Sequence, residues 1–244
     1  MGKFFYAICM DGGDKEFGDI GLEGKTVHLI RYRDIAAVLS DYPEVDSVKL
    51  LYKNLSPYHR VCREAAKSFT TIPARFGQIA KDEDQVQRLL RTHYAMLRKE
   101  LGRLDQKVEM GLRLWWEVDN LGEYFLQLDS ELKGLRDQLL RKPGGLTRME
   151  QLNFGRYVYD RMNVAREQIA KRVLATLPTG EAKLEEITEE KMVINAALLV
   201  AGERQAEVEK AAGKIPDWLG ERYRIKLDGP WAPFSFVQAL ELSL

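Results

Sequence analysis

Apolar and polar residues alternate along the segment Lys107 to Asp119, near the middle of the chain. Because successive side chains of a strand point to opposite faces, this alternation predicts a long β-strand with one buried and one solvent-facing side. Gly111 and Trp115 interrupt the polar set on the solvent-facing side. The predicted buried set is Val108, Met110, Leu112, Leu114, Trp116 and Val118.

The pattern before this strand predicts an α+β domain over residues 1–105. A loop rich in Gly and Asp, Asp11 to Gly24, follows the first of three predicted strands, and Tyr42 to Leu55 is ambiguous, with a short helix as one interpretation. Ser56 with Pro57 predicts a helix start, and Asp82 with Gln85 is typical of a capping box at the start of a second helix that ends at Leu104. The predicted strands are Phe4 to Met10, Thr26 to Arg31 and Ile35 to Leu39, with a short extended stretch at Thr71 to Gly77.

The pattern after the central strand predicts a long helical hairpin, at about 120–177. Its first helix carries apolar residues at spacings of three and four from Leu121 to Leu139, and Thr147 with Glu150 caps the second. The hairpin either covers the sheet or projects as an arm that grips a partner helix. The predicted inner face of the second helix is Leu152, Val158, Met162, Ala165, Ile169 and Val173.

The remaining elements complete a second domain, residues 106–244. We expect a strand at Met192 to Ala201, a helix at Glu203 to Lys214 and a last strand at Tyr223 to Leu227. This order is typical of a ferredoxin-like α+β unit with an inserted hairpin. The predicted fold is therefore α+β, with an N-terminal α+β domain and a C-terminal ferredoxin-like domain.

Composition and charge narrow the classes of function. The chain has 244 residues, of which 45% are hydrophobic and 30% charged, an ordinary globular composition. Its 37 Lys and Arg balance 37 Asp and Glu, which argues against a general nucleic-acid or membrane-surface binder. Cys9 and Cys62 are expected to be reduced core thiols of a cytosolic protein. Without a leader or a long apolar run, we expect a chain that is neither secreted nor membrane-spanning.

Candidate ligand-binding patterns are sparse. His59 and Cys62 lie three residues apart on a predicted helix, but His28 and His93 belong to other elements, so a metal site is not expected. The glycine-rich loop lacks the dinucleotide-binding spacing and precedes a strand, so it is not expected to hold phosphate. We predict no catalytic residue, no cofactor and no metal.

Five residues are candidates for contact with a partner protein. Arg75 stands among apolar neighbours, where it either anchors loop carbonyls or contacts a partner. Trp115 interrupts the polar side of the central strand. The tail, 229–244, combines prolines with large aromatic residues, and either folds back between the domains or docks another chain. Its candidates are Trp231, Phe234 and Phe236.

Several stretches together resemble a known family. They are Asp19 to Gly24, Tyr32 to Ser40, Phe69 to Gly77, Glu109 to Trp116, and Gly229 to Trp231 followed by Pro233 to Val237. In this order and spacing they resemble the gas vesicle protein F/L family, with the F branch as the nearer one. The chain departs from the family pattern at Ala232, where a second proline is usual, and at Ala74, where a bulkier aliphatic residue is typical.

The resemblance implies a non-catalytic accessory or minor structural protein of gas vesicles, the shells that give cells buoyancy. Such proteins are expected to help nucleate the shell in the cytoplasm. They are expected to bind the small, very hydrophobic major shell protein and other accessory proteins. The resemblance supplies no active-site residue to carry over.

Two alternatives remain. One is a small-molecule hydrolase that uses a cleft between the domains, although the sequence lacks GxSxG, HExxH, P-loop and CxxC motifs. The other is an RNA-binding module, because ferredoxin-like sheets bind RNA through stacked aromatics. A basic sheet face with an exposed Trp115 would favour this second alternative.

Overall fold

The structure, a computed structural model, describes residues 1–43 and 48–237. The chain divides into two compact units. The first comprises Met1–Met110, Leu199–Gly202 and Gly229–Leu244, and the second comprises Gly111–Leu198 and Glu203–Asp228. The tail from Gly229 thus groups with the first unit. A division into domains at 105/106 remains a prediction.

The first unit contains a five-stranded sheet in which β1 (Gly2–Met10) is central. β2 (Val27–Tyr32) and β3 (Ile35–Tyr42) form an antiparallel pair, and β3 pairs with β1 from Tyr42 opposite Gly2 to Ile35 opposite Met10. The predicted strands are therefore confirmed. On its other side β1 pairs with two short strands, β4 (Thr71–Pro73) and β5 (Ile79–Ala80).

Two helices pack on this sheet: α1 (Tyr52–Ala66) and α2 (Glu83–Leu104). The predicted cap of α2 at Asp82 is confirmed, because the Asp82 side chain accepts a hydrogen bond from the Gln85 amide at 2.7 Å. The return bond of a capping box goes to a different residue, since the Gln85 side chain accepts from the Lys81 amide and not from that of Asp82. The predicted start of α1 at Ser56 is wrong, since the helix begins at Tyr52 and Pro57 lies inside it. Pro57 removes only the hydrogen bond to the Lys53 carbonyl, and because Lys53 is exposed, that carbonyl lies where water can replace the lost donor. Part of the ambiguous segment, 44–47, lies outside the described residues.

Aromatic side chains dominate the core between the sheet and α1. Phe4, Tyr6 and Tyr58 are almost fully buried, and the rings of Phe4 and Tyr6 lie 5.0 Å apart. The buried Tyr6 hydroxyl accepts a hydrogen bond from the Leu22 amide and shares another with Ser40. This pairing satisfies the polar end of a ring that is otherwise in an apolar environment.

The second sheet has the strand order β7-β8-β6-β9, formed by Glu181–Leu184, Met192–Ala201, Lys107–Trp116 and Tyr223–Trp231. β6 and β8, each followed by helices along the chain, are central, which is the split β-α-β arrangement of a ferredoxin-like fold. The predicted α+β class is confirmed. β7 was not predicted, because all four of its residues are exposed and it carries no apolar pattern. β9 continues to Trp231, beyond the predicted end at Leu227.

The central strand differs from its prediction in length and in its faces. β6 ends at Trp116, and Glu117 is already exposed. Trp116 is buried, at 1% exposure, as predicted. Trp115 and Glu109, expected on the solvent-facing side, are also buried, because tertiary neighbours cover both.

The helical hairpin has three helices: α3 (Leu121–Leu128), α4 (Ser130–Leu140) and α5 (Arg148–Thr176). The prediction of one continuous helix from Leu121 to Leu139 is wrong. Asp129 interrupts it, because its backbone is extended and its carboxylate accepts hydrogen bonds from the amides of Glu131 and Leu132. The predicted capping box of α5 is confirmed in both directions, between Thr147 and Glu150.

The predicted inner face of α5 is only partly buried. Met162 and Val173 are buried, whereas Leu152 is 60% exposed. Two short helices, α6 (Gln205–Gly213) and α7 (Ile215–Leu219), precede β9, and α7 was not predicted. No helix within the described residues has the length and apolar character needed to cross a membrane.

Candidate functional site

A groove of about 260 Å³ opens on the first unit. Helix α1, the start of β6 and the tail after β9 each contribute to its wall. The lining residues are His59, Arg63, Glu109, Trp231, Ala232 and Phe234. Positions more than a hundred residues apart in sequence thus form one concave surface.

A buried carboxylate holds the tail in place. Glu109, 7% exposed, accepts hydrogen bonds from the Ser235 amide at 2.7 Å and from the Ser235 hydroxyl at 2.9 Å. The next residue of the tail is held as well, because the carbonyl of Phe236 accepts a hydrogen bond from the Arg103 guanidinium at 2.6 Å. Bonds to a charged partner are stronger than neutral ones, so these contacts fix the backbone that carries the aromatic side chains.

Gly229 permits the close approach of the tail to β6. Its φ of +126° is a conformation that residues with a Cβ rarely adopt. A Cβ at this position would lie 2.9 Å from the Glu109 carbonyl oxygen and 3.3 Å from the Met110 Cα. The path of the chain into the groove therefore requires glycine here.

Aromatic rings form the apolar wall. The ring of Phe234 lies 5.5 Å from His59 and 6.3 Å from Tyr58, which in turn packs edge-on against Phe76 at 5.4 Å. The Tyr58 hydroxyl donates to the Ala74 carbonyl, so its polar end is satisfied in the core. Trp231 remains 37% exposed at the groove. The result is an apolar surface that is open to solvent yet anchored to a packed core.

The groove carries little charge of its own. Partial burial, and secondarily the nearby Arg63, lowers the pKa of His59, so the imidazole is neutral at pH 7. The buried Glu109 carboxylate accepts hydrogen bonds from Ser235. Arg63 is exposed and forms no ion pair within the described residues. An apolar segment with a carboxylate at its edge would therefore complement this surface.

The structure brings together three of the five predicted partner-contact residues. Trp231 and Phe234 line the groove, and Phe236, 6% exposed, anchors the tail beside it. Arg75 is exposed after β4 and does not line the groove.

Trp115 lies in the second unit and is 7% exposed. Its indole nitrogen donates to Glu189 at 3.1 Å, and the Arg224 guanidinium lies 4.4 Å from the ring centre. The buried ring removes the exposed aromatic platform that an RNA-binding sheet face would need.

Sequence reasoning missed the roles of His59 and Glu109. His59 was considered only as a possible metal ligand with Cys62, whose buried thiol instead donates to the Tyr6 carbonyl at 3.2 Å. Burial raises the pKa of Cys62 to about 12, so the thiol stays protonated. Among the described residues, no three His, Cys, Asp or Glu side chains are grouped as metal ligands would be.

The family model for gas vesicle synthesis protein GvpL/GvpF matches residues 2–238. Gas vesicle protein F of Nostoc sp. is 28% identical over 97% of this chain and 98% of its own length. Gas vesicle protein F of Streptomyces sp. is 26% identical over 98% of this chain and 100% of its own length. Gas vesicle protein L of Streptomyces sp. is 25% identical over 98% of this chain and 94% of its own length.

Two solved structures share the fold. The crystal structure of GvpF from Anabaena sp. gives a TM-score of 0.84 at 24% identity, covering 97% of this chain and 98% of that one. GvpF from Microcystis aeruginosa gives 0.80 at 21% identity, covering 97% and 99%. The resemblance drawn from the five sequence stretches is confirmed. The chain belongs to the gas vesicle synthesis protein GvpL/GvpF family and has a gas vesicle-associated role.

Proposed function

We propose that this protein is a non-catalytic accessory or minor structural protein of gas vesicle assembly. It binds the small, hydrophobic major shell protein in the cytoplasm, helps nucleate or build the shell, and associates with other gas vesicle accessory proteins. Membership of the GvpL/GvpF family supports the gas vesicle context. The groove at Trp231 supports the binding step.

An exposed aromatic surface, held in place by hydrogen bonds to the tail, supports the proposal most directly. Trp231 and Phe234 present ring area at the groove. Glu109 holds Ser235, and Arg103 holds the Phe236 carbonyl. Large aromatic side chains in a preformed pocket contribute most to protein–protein affinity. Because these contacts already hold residues 229–237, little conformational entropy is lost when a partner binds.

The physical need for such a surface follows from the shell. A subunit that lines a gas space has an apolar face, and before assembly that face is exposed and prone to aggregation. An apolar segment of the shell protein would bury against Trp231 and Phe234, and a carboxylate beside that segment would pair with Arg63. Release into the growing shell requires only that shell contacts bury more apolar area than the groove does.

Co-expression of the tagged protein with the major shell protein tests the proposal. We expect the two to co-purify, and the soluble fraction of the shell protein to increase. Trp231→Ala should abolish both effects, whereas Trp218→Ala should preserve them. Trp218 is a matched control, because it is also 37% exposed but lies on α7. Absence of a complex with the wild-type chain, or equal losses in the two variants, would contradict the proposal.

A further inference from the structure

One face of α5 changes its environment along the helix. Residues spaced by three and four define this face: Arg148, Leu152, Gly155, Tyr159, Met162, Arg166, Ala170 and Val173. In the second half of α5 the face is core, because Met162, Arg166, Ala170 and Val173 are buried. There the Arg166 guanidinium donates to the Met192 carbonyl at 2.9 Å and lies 5.1 Å from the ring centre of Trp116.

In the first half of α5 the same face is uncovered. Leu152 is 60% exposed and Tyr159 is 56% exposed. Helix α4 does not cover them, because it contacts the other side of α5. Glu131 of α4 pairs with Arg161, and Lys142, two residues beyond the end of α4, pairs with Glu150. These two α5 positions lie roughly 160–200° around the helix from Leu152.

Gly155 lies at the centre of this uncovered face. A Cβ added there would meet no atom of the described residues within 4 Å, so their packing does not require glycine at this position. Glycine inside a helix is less favourable than alanine, because its backbone loses more conformational freedom on folding. Its benefit is that another backbone can approach closely, and a shallow groove of about 540 Å³ lies over it.

Two cations border the groove. Arg148 and Arg156 line it, and neither forms an ion pair within the described residues. Arg148 is also the first residue of α5, where the helix dipole disfavours positive charge. The two positions are eight residues apart, which places them about 12 Å apart along the helix.

We propose that the first half of α5 is a docking surface for an amphipathic helix of another protein. The partner helix packs an apolar stripe over Leu152, Gly155 and Tyr159, and places carboxylates about seven residues apart against Arg148 and Arg156. The spacing of three and four is that of two helices in knobs-into-holes contact. This surface shares no residue with the groove at Trp231, and its occupation does not depend on what binds there.

A second copy of this chain does not fit as the occupant. A two-fold contact centred on Gly155 would place Arg156 beside Arg156 of the other copy. Two unpaired cations would then face each other across a newly desolvated contact, which is unfavourable.

Titration of the full chain with synthetic peptides tests the proposal. The probe is a labelled amphipathic peptide of about 20 residues, long enough to form a helix, with Leu and Ala on one face and two Glu about seven positions apart. A second peptide carries Gln at both Glu positions. We expect the acidic peptide to bind roughly tenfold more tightly than the Gln peptide.

Matched variants locate the contact. Gly155→Leu should abolish binding, because its side chain would fill the space that the partner backbone needs. Gly134→Leu, at a glycine of α4 that also has nothing within 4 Å, should leave binding unchanged. Arg156→Glu should abolish the preference for the acidic peptide, because repulsion at position 156 offsets the remaining attraction to Arg148. Lys171→Glu, at an exposed α5 position on the far side, should leave the preference unchanged. Circular dichroism confirms that each variant is folded. No binding, equal affinity for the two peptides, or a dimer of this chain that Gly155→Leu dissociates would overturn the proposal.

Discussion

The carboxylate of Glu109 accepts two hydrogen bonds from Ser235, one from its amide and one from its hydroxyl. The two residues are 126 positions apart. This contact joins the start of β6 to the tail and holds the aromatic residues of the groove in position.

Ser235→Ala should destabilise the protein by about 1–3 kcal/mol, because it leaves a buried carboxylate with one donor fewer. Urea denaturation followed by tryptophan fluorescence measures the free energy of unfolding. Ser56→Ala, at an exposed position of α1, is the control and should change it little. Equal changes in the two variants would show that the Ser235 hydroxyl does not stabilise the tail.

Gly229→Ala should destabilise the protein by more than about 1 kcal/mol, because the new Cβ would meet the Glu109 carbonyl and the backbone has a positive φ. Gly134→Ala should instead be neutral or stabilising, since α4 has room there and alanine favours helix. The thermal unfolding midpoints of the two variants, compared with that of the wild type, provide the measurement. A stable Gly229→Ala protein would mean that the tail follows another path.

Trp116→Ala should cost about 3–5 kcal/mol of unfolding free energy. Its ring is 1% exposed and packs edge-on against Phe125 at 5.2 Å. Trp115→Ala should lower the unfolding free energy by less. The flexible side chain of Arg224 covers the Trp115 ring, and one hydrogen bond joins its indole nitrogen to Glu189. Denaturant titration of both variants measures the two losses of unfolding free energy. A larger loss for Trp115→Ala would show that the Trp115 face of β6, and not the Trp116 face, contributes more to the core.

Acid should weaken the capping box of α5. Lys142, and then the amide and hydroxyl of Thr147, lower the pKa of Glu150 from 4.5 to about 2. Because the pKa is depressed in the folded state, the stabilisation is complete above about pH 4.5 and is lost as the pH falls toward 2. The difference in unfolding free energy between wild type and Glu150→Gln should therefore shrink over that range. A difference that is independent of pH would exclude an ionised Glu150 as the cause.

The sequence predicted those parts of the fold that depend on local chemistry. The alternation in β6 identified the buried Trp116, and the caps at Asp82 and Thr147 located the starts of α2 and α5. Asp129 shows a limit of this approach. The apolar spacing continues across it, and only its extended backbone and its bonds to two amides separate α3 from α4.

The groove could not be predicted from local pattern. Trp231 and Phe234 were candidates because of their residue types, but their association with His59 depends on contacts between distant segments. Glu109 was expected to face solvent by alternation alone. Its burial depends on Ser235, which no periodicity in the strand could indicate.

Residue-mapped crosslinking to the major shell protein tests the central claim most directly. Benzoylphenylalanine replaces Trp231 in one variant, which keeps an aromatic group in the groove, and Trp218 in the matched control. After co-expression and irradiation, we predict a crosslink from position 231 to an apolar segment of the shell protein and none from position 218. Crosslinks from position 218 alone, or from neither position, would contradict the account.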